Sequence, residues 1–169
     1  MNVSIRYSTH LPVLLECMKR TEGTKGDVLE LGPGVFSTPI LHWLCREQGR
    51  RLVTIEQDPL WMSFCNKYYR RGNHRFQLVD NYDQAKIEQP WDVVLVDHSP
   101  APRRAIEIKR LANLAKYIVV HDAEDRHEPA YQYSAIYPLF KSRYLFTEVE
   151  PHTVVLSNFV DLKDFSVYG

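Results

Sequence analysis

Five acids stand at the ends of apolar runs: Glu30, Glu56, Asp80, Asp97 and Asp122. Two histidines sit beside the last two, as Asp97-His98 and His121-Asp122. Carboxylates so placed can accept hydrogen bonds from a ligand's hydroxyl and amino groups. A histidine near its free pKa of about 6.5 can take a proton at neutral pH. The first acid opens Glu30-Leu-Gly-Pro-Gly34, and Gly32 and Gly34 have no Cβ to keep a ligand from the backbone. Ser37-Thr38 then begin a helix whose amino end suits an anionic group. Glu56 follows Gly34 by 22 residues, the distance at which an acid grips a ribose diol in dinucleotide folds. Asp80-Asn81 can meet an adenine edge, and Arg103 and Arg104, just beyond Asp97, an anionic substrate.

These acids must be carried by strands and spaced by helices. The first helix is expected from Ser8 to Arg20, capped by Ser8 or Thr9, with Leu11, Leu14, Leu15 and Met18 on one face. Strands are expected at 27–31, 51–56, 75–80, 91–97 and 117–121, the fourth being the most apolar and hence central. Between them the pattern predicts helices from Ser37 to Gln48, from Pro59 through a face of Leu60, Met62, Phe64, Cys65 and Tyr68, and from Pro102 to Leu114 with Ile106, Leu111 and Leu114 inward. A further helix is expected over 130–141, rich in tyrosine, and a closing hairpin over 145–150 and 153–158. The loop Glu124 to Pro129 hangs over the crevice and can form part of a lid. Strand–helix alternation with a terminal hairpin predicts a Rossmann-like, doubly wound α/β fold, a mostly parallel seven-stranded sheet with an antiparallel carboxyl-terminal pair. The chain reads as one domain, a helix and loop over 1–26 and the core over 27–169.

Composition sets bounds. Apolar residues make up 44% and charged residues 25%, as in ordinary globular proteins. Lys+Arg equals Asp+Glu, which argues against bulk nucleic-acid binding. Lys67, Arg70, Arg71 and Arg75 form a basic cluster that reads as a solvated helix end. No apolar run reaches the length of a membrane span and no secretory h-region follows Met1, so neither a membrane nor a secreted setting is expected. Cys17, Cys45 and Cys65 are widely spaced and read as buried free thiols, pointing to the cytoplasm.

Over nearly its whole length the chain resembles class I S-adenosylmethionine-dependent methyltransferases. The matching residues are Glu30-Leu-Gly-Pro-Gly34, Ile55-Glu56, Val79-Asp80-Asn81 and Val94-Leu-Val-Asp97. The resemblance implies S-adenosylmethionine as cofactor. It places Glu56 and its neighbour Gln57 on the ribose, Asp80 and Asn81 at the adenine, and Glu30, Gly32, Gly34 and Asp97 around the methionine moiety. Phe36 stands where the family often has a third glycine. Asp97, His98 and Asp122 are the expected catalytic residues, and His98, His121, Arg103 and Arg104 face the acceptor. The favoured reaction is O-methylation of a small molecule, by a core so bare that it either uses a partner subunit, as in a homodimer, to cover its site or accepts an exposed substrate.

A narrower likeness is to metal-dependent O-methyltransferases of the catechol and caffeoyl-CoA type, in which Asp97 and Asp122 would hold Mg²⁺. The third ligand position is Ala123, and the lysine base has no match. Asp97-His-Ser-Pro100 is also similar, in part, to the motif of amino-group methyltransferases, which keeps an N-methyltransferase acting on a macromolecule as an alternative. A catalytically degenerate cofactor-binding domain is another. A nicotinamide oxidoreductase shares the acid after strand two but not the glycine spacing.

Overall fold

The computed structural model describes residues 4–66 and 72–168. Among them seven strands form one sheet: β1 (Val28–Leu31), β2 (Leu52–Glu56), β3 (His74–Leu78), β4 (Trp91–Val96), β5 (Ala115–His121), β6 (Ser142–Phe146) and β7 (Thr153–Ser157). Their order is β3-β2-β1-β4-β5-β7-β6. The first five pair in parallel, and β7 runs antiparallel to both β5 and β6. The chain moves outward from β1 to β3 and then crosses back to β4. The order therefore reverses between β1 and β4, and a crevice opens at the carboxyl ends of those strands.

The helices are α1 (Leu11–Arg20), α2 (Ser37–Glu47), α3 (Pro59–Asn66), α4 (Arg103–Leu111) and the single turn α5 (Glu128–Tyr131). Successive residues of β4 point to opposite faces. Val93 and Leu95 pack with Val13, Leu14 and Cys17 of α1 and Leu41 and Cys45 of α2, while Val94 and Val96 pack with Ile108 and Leu111 of α4. Every residue of β4 is buried, as expected of the central strand. The three cysteines are buried free thiols. No helix of the described residues is long and apolar enough to cross a membrane.

Several local expectations are corrected. Residues 130–141 are not one helix. After α5, Gln132 takes a left-handed φ of 55°, and two short 3₁₀ turns, Tyr133–Ala135 and Tyr137–Leu139, follow. Pro138 lacks the amide donor a continuous helix needs there. The first hairpin strand is Ser142–Phe146 rather than 145–150, because its register pairs Phe146 with Thr153 and leaves 147–152 as the connecting loop. Ile106, Leu15, Leu60 and Phe64 are exposed rather than inward. On α4 the inner face is Arg104, Ile108 and Leu111, with Glu107 beside it, so polar side chains hold positions the apolar pattern could not claim. Neither Ser8 nor Thr9 caps α1. Ser8 closes a 3₁₀ turn at Ile5–Ser8, and His10 is the cap residue without a side-chain bond. Lys67, Tyr68, Arg70 and Arg71 lie outside the described residues, and Arg75 is an exposed residue of β3.

Candidate active site

The turn after β1 is shaped by its glycines. Gly32 has φ +86°, and a Cβ there would lie 2.6 Å from His98 Cα and 2.7 Å from the Asp97 carbonyl carbon. Its absence lets the end of β4 close over β1, where Asp97 N donates to Leu31 O at 2.9 Å. Gly34 N donates to Thr38 Oγ1 at 2.9 Å, which holds the turn on the first residues of α2.

Beneath this turn lies Glu30, with no exposed surface. Its carboxylate accepts from Ser37 Oγ at 2.7 Å, Thr38 Oγ1 at 3.0 Å and Thr54 Oγ1 at 2.7 Å. Burial pushes its pKa up to about 7 against the opposing pull of those three hydroxyls. Thr54 donates to Glu30 and so accepts from His74 Nε2 at 2.8 Å, and His74 meets His42 through their Nδ1 atoms at 3.1 Å. Glu30 thus anchors the amino end of α2 and does not face the crevice.

At the end of β2, Glu56 is buried, and its Oε1 accepts from the backbone amides of Gln57 at 2.6 Å and Asp58 at 2.9 Å. Burial raises its pKa, while these two amides lower it. Asp80 and Asn81 are exposed beyond β3, with Asn81 Oδ1 capping the turn Tyr82–Gln84 through Asp83 N.

The ends of β4 and β5 are tied by one guanidinium. Arg104, 5% exposed, donates from Nε to His98 O (2.7 Å), from NH1 to His121 O and Asp122 Oδ2 (both 3.1 Å), and from NH2 to Asp97 Oδ1 (2.9 Å). Its Cζ sits 4.7 Å over the Tyr131 ring, and Tyr131 OH donates to Asp122 Oδ2 at 3.1 Å. Burial would raise the Asp97 pKa, but Arg104 and a hydrogen bond from His121 outweigh it and hold the carboxyl well below the usual range. His121 Nδ1 lies 3.3 Å from Asp97 Oδ1, and its Nε2 lies 3.0 Å from Thr9 Oγ1. Burial depresses His121, yet Asp97 and Asp122 raise it overall.

A cavity of about 830 Å³ runs from the glycine turn to these residues. Its floor is Pro33, Gly34 and Val35, its far side Asp97, Arg104, His121 and Asp122. Arg6 and Tyr7 wall it on one side and Arg126, His127 and Tyr131 on another. Trp61 of α3 covers the turn, its Nε1 donating to Pro33 O at 2.6 Å.

No protein-family model matches the sequence, and no curated protein is similar to it. Solved structures are similar in fold. Human methyltransferase-like protein 13, in complex with SAH, superposes with a TM-score of 0.67 at 11% identity, over 97% of this chain and 86% of that one. The Bacillus cereus O-methyltransferase, in complex with SAH, gives 0.61 at 14% identity over 93% of each chain. Spermidine synthase from Thermotoga maritima gives 0.65 at 13% identity, over 92% of this chain and 61% of that one. The chain has the class I methyltransferase fold.

In this methyltransferase fold the expected residues divide into three groups. Gly34, Asp97, Arg104, His121 and Asp122 meet in one cavity. Glu56, Gln57, Asp80 and Asn81 continue the same strand-end edge on β2 and β3. Glu30, His98 and Arg103 turn away from the cavity. The His98 ring is 1% exposed and packs on Tyr82 at 4.1 Å, with Nε2 3.2 Å from Glu107 Oε2. Arg103 reaches outward to Asp83 at 2.8 Å and Glu107 at 2.5 Å. The Asp97–Asp122 pair, to which only the narrower, unfavoured likeness gave Mg²⁺, is bridged by Arg104, whose guanidinium bonds both carboxylates. Sequence reading did not single out Arg6, Tyr7, His10 or Trp61, and it took Thr9 only for a helix cap. It placed Tyr131 only in a tyrosine-rich helix over 130–141, and it anticipated Arg126 and His127 only through the lid over 124–129.

Proposed function

We propose that this chain is an S-adenosylmethionine-dependent methyltransferase acting on a hydroxyl of a small molecule. The observation that carries the reading is the cavity joining the glycine turn to Asp97 and His121 at the switch point of the sheet. The SAH complexes of fold neighbours add to it. The residues fit such a cofactor. Gly32 and Gly34 leave the backbone of the turn uncovered, and Glu56 has one oxygen fixed by two amides, leaving the other for a ribose diol.

When bound, the cofactor supplies a methyl group on a sulfonium, and the nucleophile need only be aligned with it. Glu56 would accept the ribose hydroxyls, and Trp61 shields the turn from water. Asp97, ionised beforehand, would accept the hydrogen bond of the acceptor hydroxyl, orient its oxygen lone pair and take up the proton released as the oxygen–methyl bond forms and the carbon–sulfur bond breaks. Arg104 fixes that carboxylate through strands β4 and β5. Tyr7, Arg126, His127 and Tyr131 enclose the acceptor and narrow it to small molecules. His98 and Arg103 have no part in this reading.

Calorimetric titration with SAH, against NAD as control, tests it. SAH alone should bind, and Glu56→Ala should weaken it by about 1–3 kcal/mol, the value of a hydrogen-bonded charged group. NAD binding, or SAH affinity indifferent to Glu56, would overturn the assignment. SAH binding without turnover on any hydroxyl acceptor would leave a cofactor-binding domain.

A further inference from the structure

His10 opens α1 and is 1% exposed, yet neither of its ring nitrogens has a hydrogen-bond partner. An imidazole buried in that way is costly unless something engages it. Its ring stands edge-on to His121, with centroids 4.9 Å apart at 71°. One nitrogen of His10, one of His121 and one carboxylate oxygen of Asp97 all lie within 4.8 Å of one another.

The hydrogen bonds around His121 sharpen the point. Thr9 Oγ1 lies 2.8 Å from Pro151 O and 3.2 Å from Arg6 O, so its one proton goes to a carbonyl. The hydroxyl therefore accepts from His121 Nε2 at 3.0 Å. This leaves His121 Nδ1 facing the ionised Asp97 oxygen at 3.3 Å with a cation between them, either the second ring proton of a charged imidazole or a metal ion. A proton would satisfy that pair alone and leave His10 unexplained. A metal ion would engage all three. Two donors bonded to one tetrahedral ion at about 2.0–2.2 Å stand about 3.4 Å apart. A ligating histidine characteristically donates its other ring N–H to a fixed oxygen, the part Thr9 plays here.

The geometry points to a divalent transition-metal site formed by His10, Asp97 and His121. Two imidazoles and one carboxylate favour Zn²⁺, Co²⁺ or Fe²⁺ over Mg²⁺, which prefers oxygen donors. Arg104, on Asp97 Oδ1, orients the carboxylate from outside. The ion ties the start of α1 to the ends of β4 and β5, holding the Arg6–Tyr7 wall of the cavity in place. The site shares Asp97 with the proposed acceptor position, and the metal is expected to bind whether or not the chain transfers methyl groups.

Co²⁺ titration of the full chain, stripped with a chelator, tests it. The wild-type protein should develop visible d–d bands with one equivalent, which Zn²⁺ abolishes and Mg²⁺ leaves unchanged. His10→Leu, checked for folding by circular dichroism, should weaken Co²⁺ by more than the roughly 10–100-fold typical of losing an outer partner. His127→Ala should leave the bands intact, although His127 belongs to a second group with Asp122 and Glu124. In wild-type protein Zn²⁺ should shift the ring NMR signals of His10 and His121 and spare His127, a readout that needs no variant to fold. Absence of Co²⁺ bands, or bands that survive His10→Leu and vanish in His127→Ala, would overturn the site. So would Zn²⁺ shifts confined to His127.

Discussion

At the scale of single residues, the two acids that resemble each other most in sequence have different work. Glu56 keeps its carboxylate at the strand edge, while Glu30 is sealed under the turn by three hydroxyls. The consequence is a pH signature. The folded-state pKa of Glu30 is raised from 4.5 to about 7, so its contribution to stability is complete below about pH 4.5 and is lost as pH rises through about 7. Chemical unfolding at a series of pH values should show wild type losing stability relative to Glu30→Gln across that window and no further above it. A constant difference would mean that the three hydroxyls compensate the buried charge. The neighbouring arginines teach a similar lesson. Arg103 and Arg104 are adjacent in sequence, but one helical step turns Arg103 out to Asp83 and Arg104 into the strand ends. Their identity as a basic pair was legible, and their opposite directions were not.

At the scale of elements, the turn between β1 and α2 is the tightest junction. Gly32→Ala would place a methyl group 2.6 Å from backbone and hold a positive φ that alanine resists. It should therefore cost at least about 2 kcal/mol in a urea unfolding curve. Gly23→Ala, with nothing within 4 Å and no positive φ, should be close to neutral. The strands and their terminal acids were readable because each acid ends a continuous apolar run, and β4 declared itself central by having no polar face. The segment after β5 was not readable as an element. Its tyrosines suggest a helical stripe, yet Gln132 and Pro138 break it into turns that aim Tyr131 at Asp122. The site's amino-terminal wall was hidden for a different reason. Thr9 and His121 are 112 residues apart, and no local pattern marks a histidine as the partner of a strand end so distant. Trp61 was concealed by a helix whose apolar residues are exposed at Leu60 and Phe64.

At the scale of the whole molecule, the two ends of the sheet are held by different polar clusters. The carboxyl end carries the cavity, and the opposite end closes on Asp92. That buried carboxylate takes Gly26 N at 2.7 Å, Lys116 Nζ at 2.6 Å, Arg50 NH2 at 3.4 Å and the Thr24 hydroxyl. Asp92→Asn should destabilise the fold by about 2–4 kcal/mol, because it leaves a buried guanidinium short of its anion. Its SAH titration should match that of wild type, since the whole sheet separates Asp92 from the cavity. The strand order carries one more consequence, which concerns synthesis. β6 is made before β7 but sits outside it, so β6 has no place on the sheet until Thr153–Ser157 have emerged. A ribosome that has released β6 has produced a chain whose β5 edge is still bare, with Ile118, Val119 and Val120 unpaired on that side. Such an edge invites pairing with other chains, and that hazard lasts until Thr153–Ser157 have emerged and paired with β5.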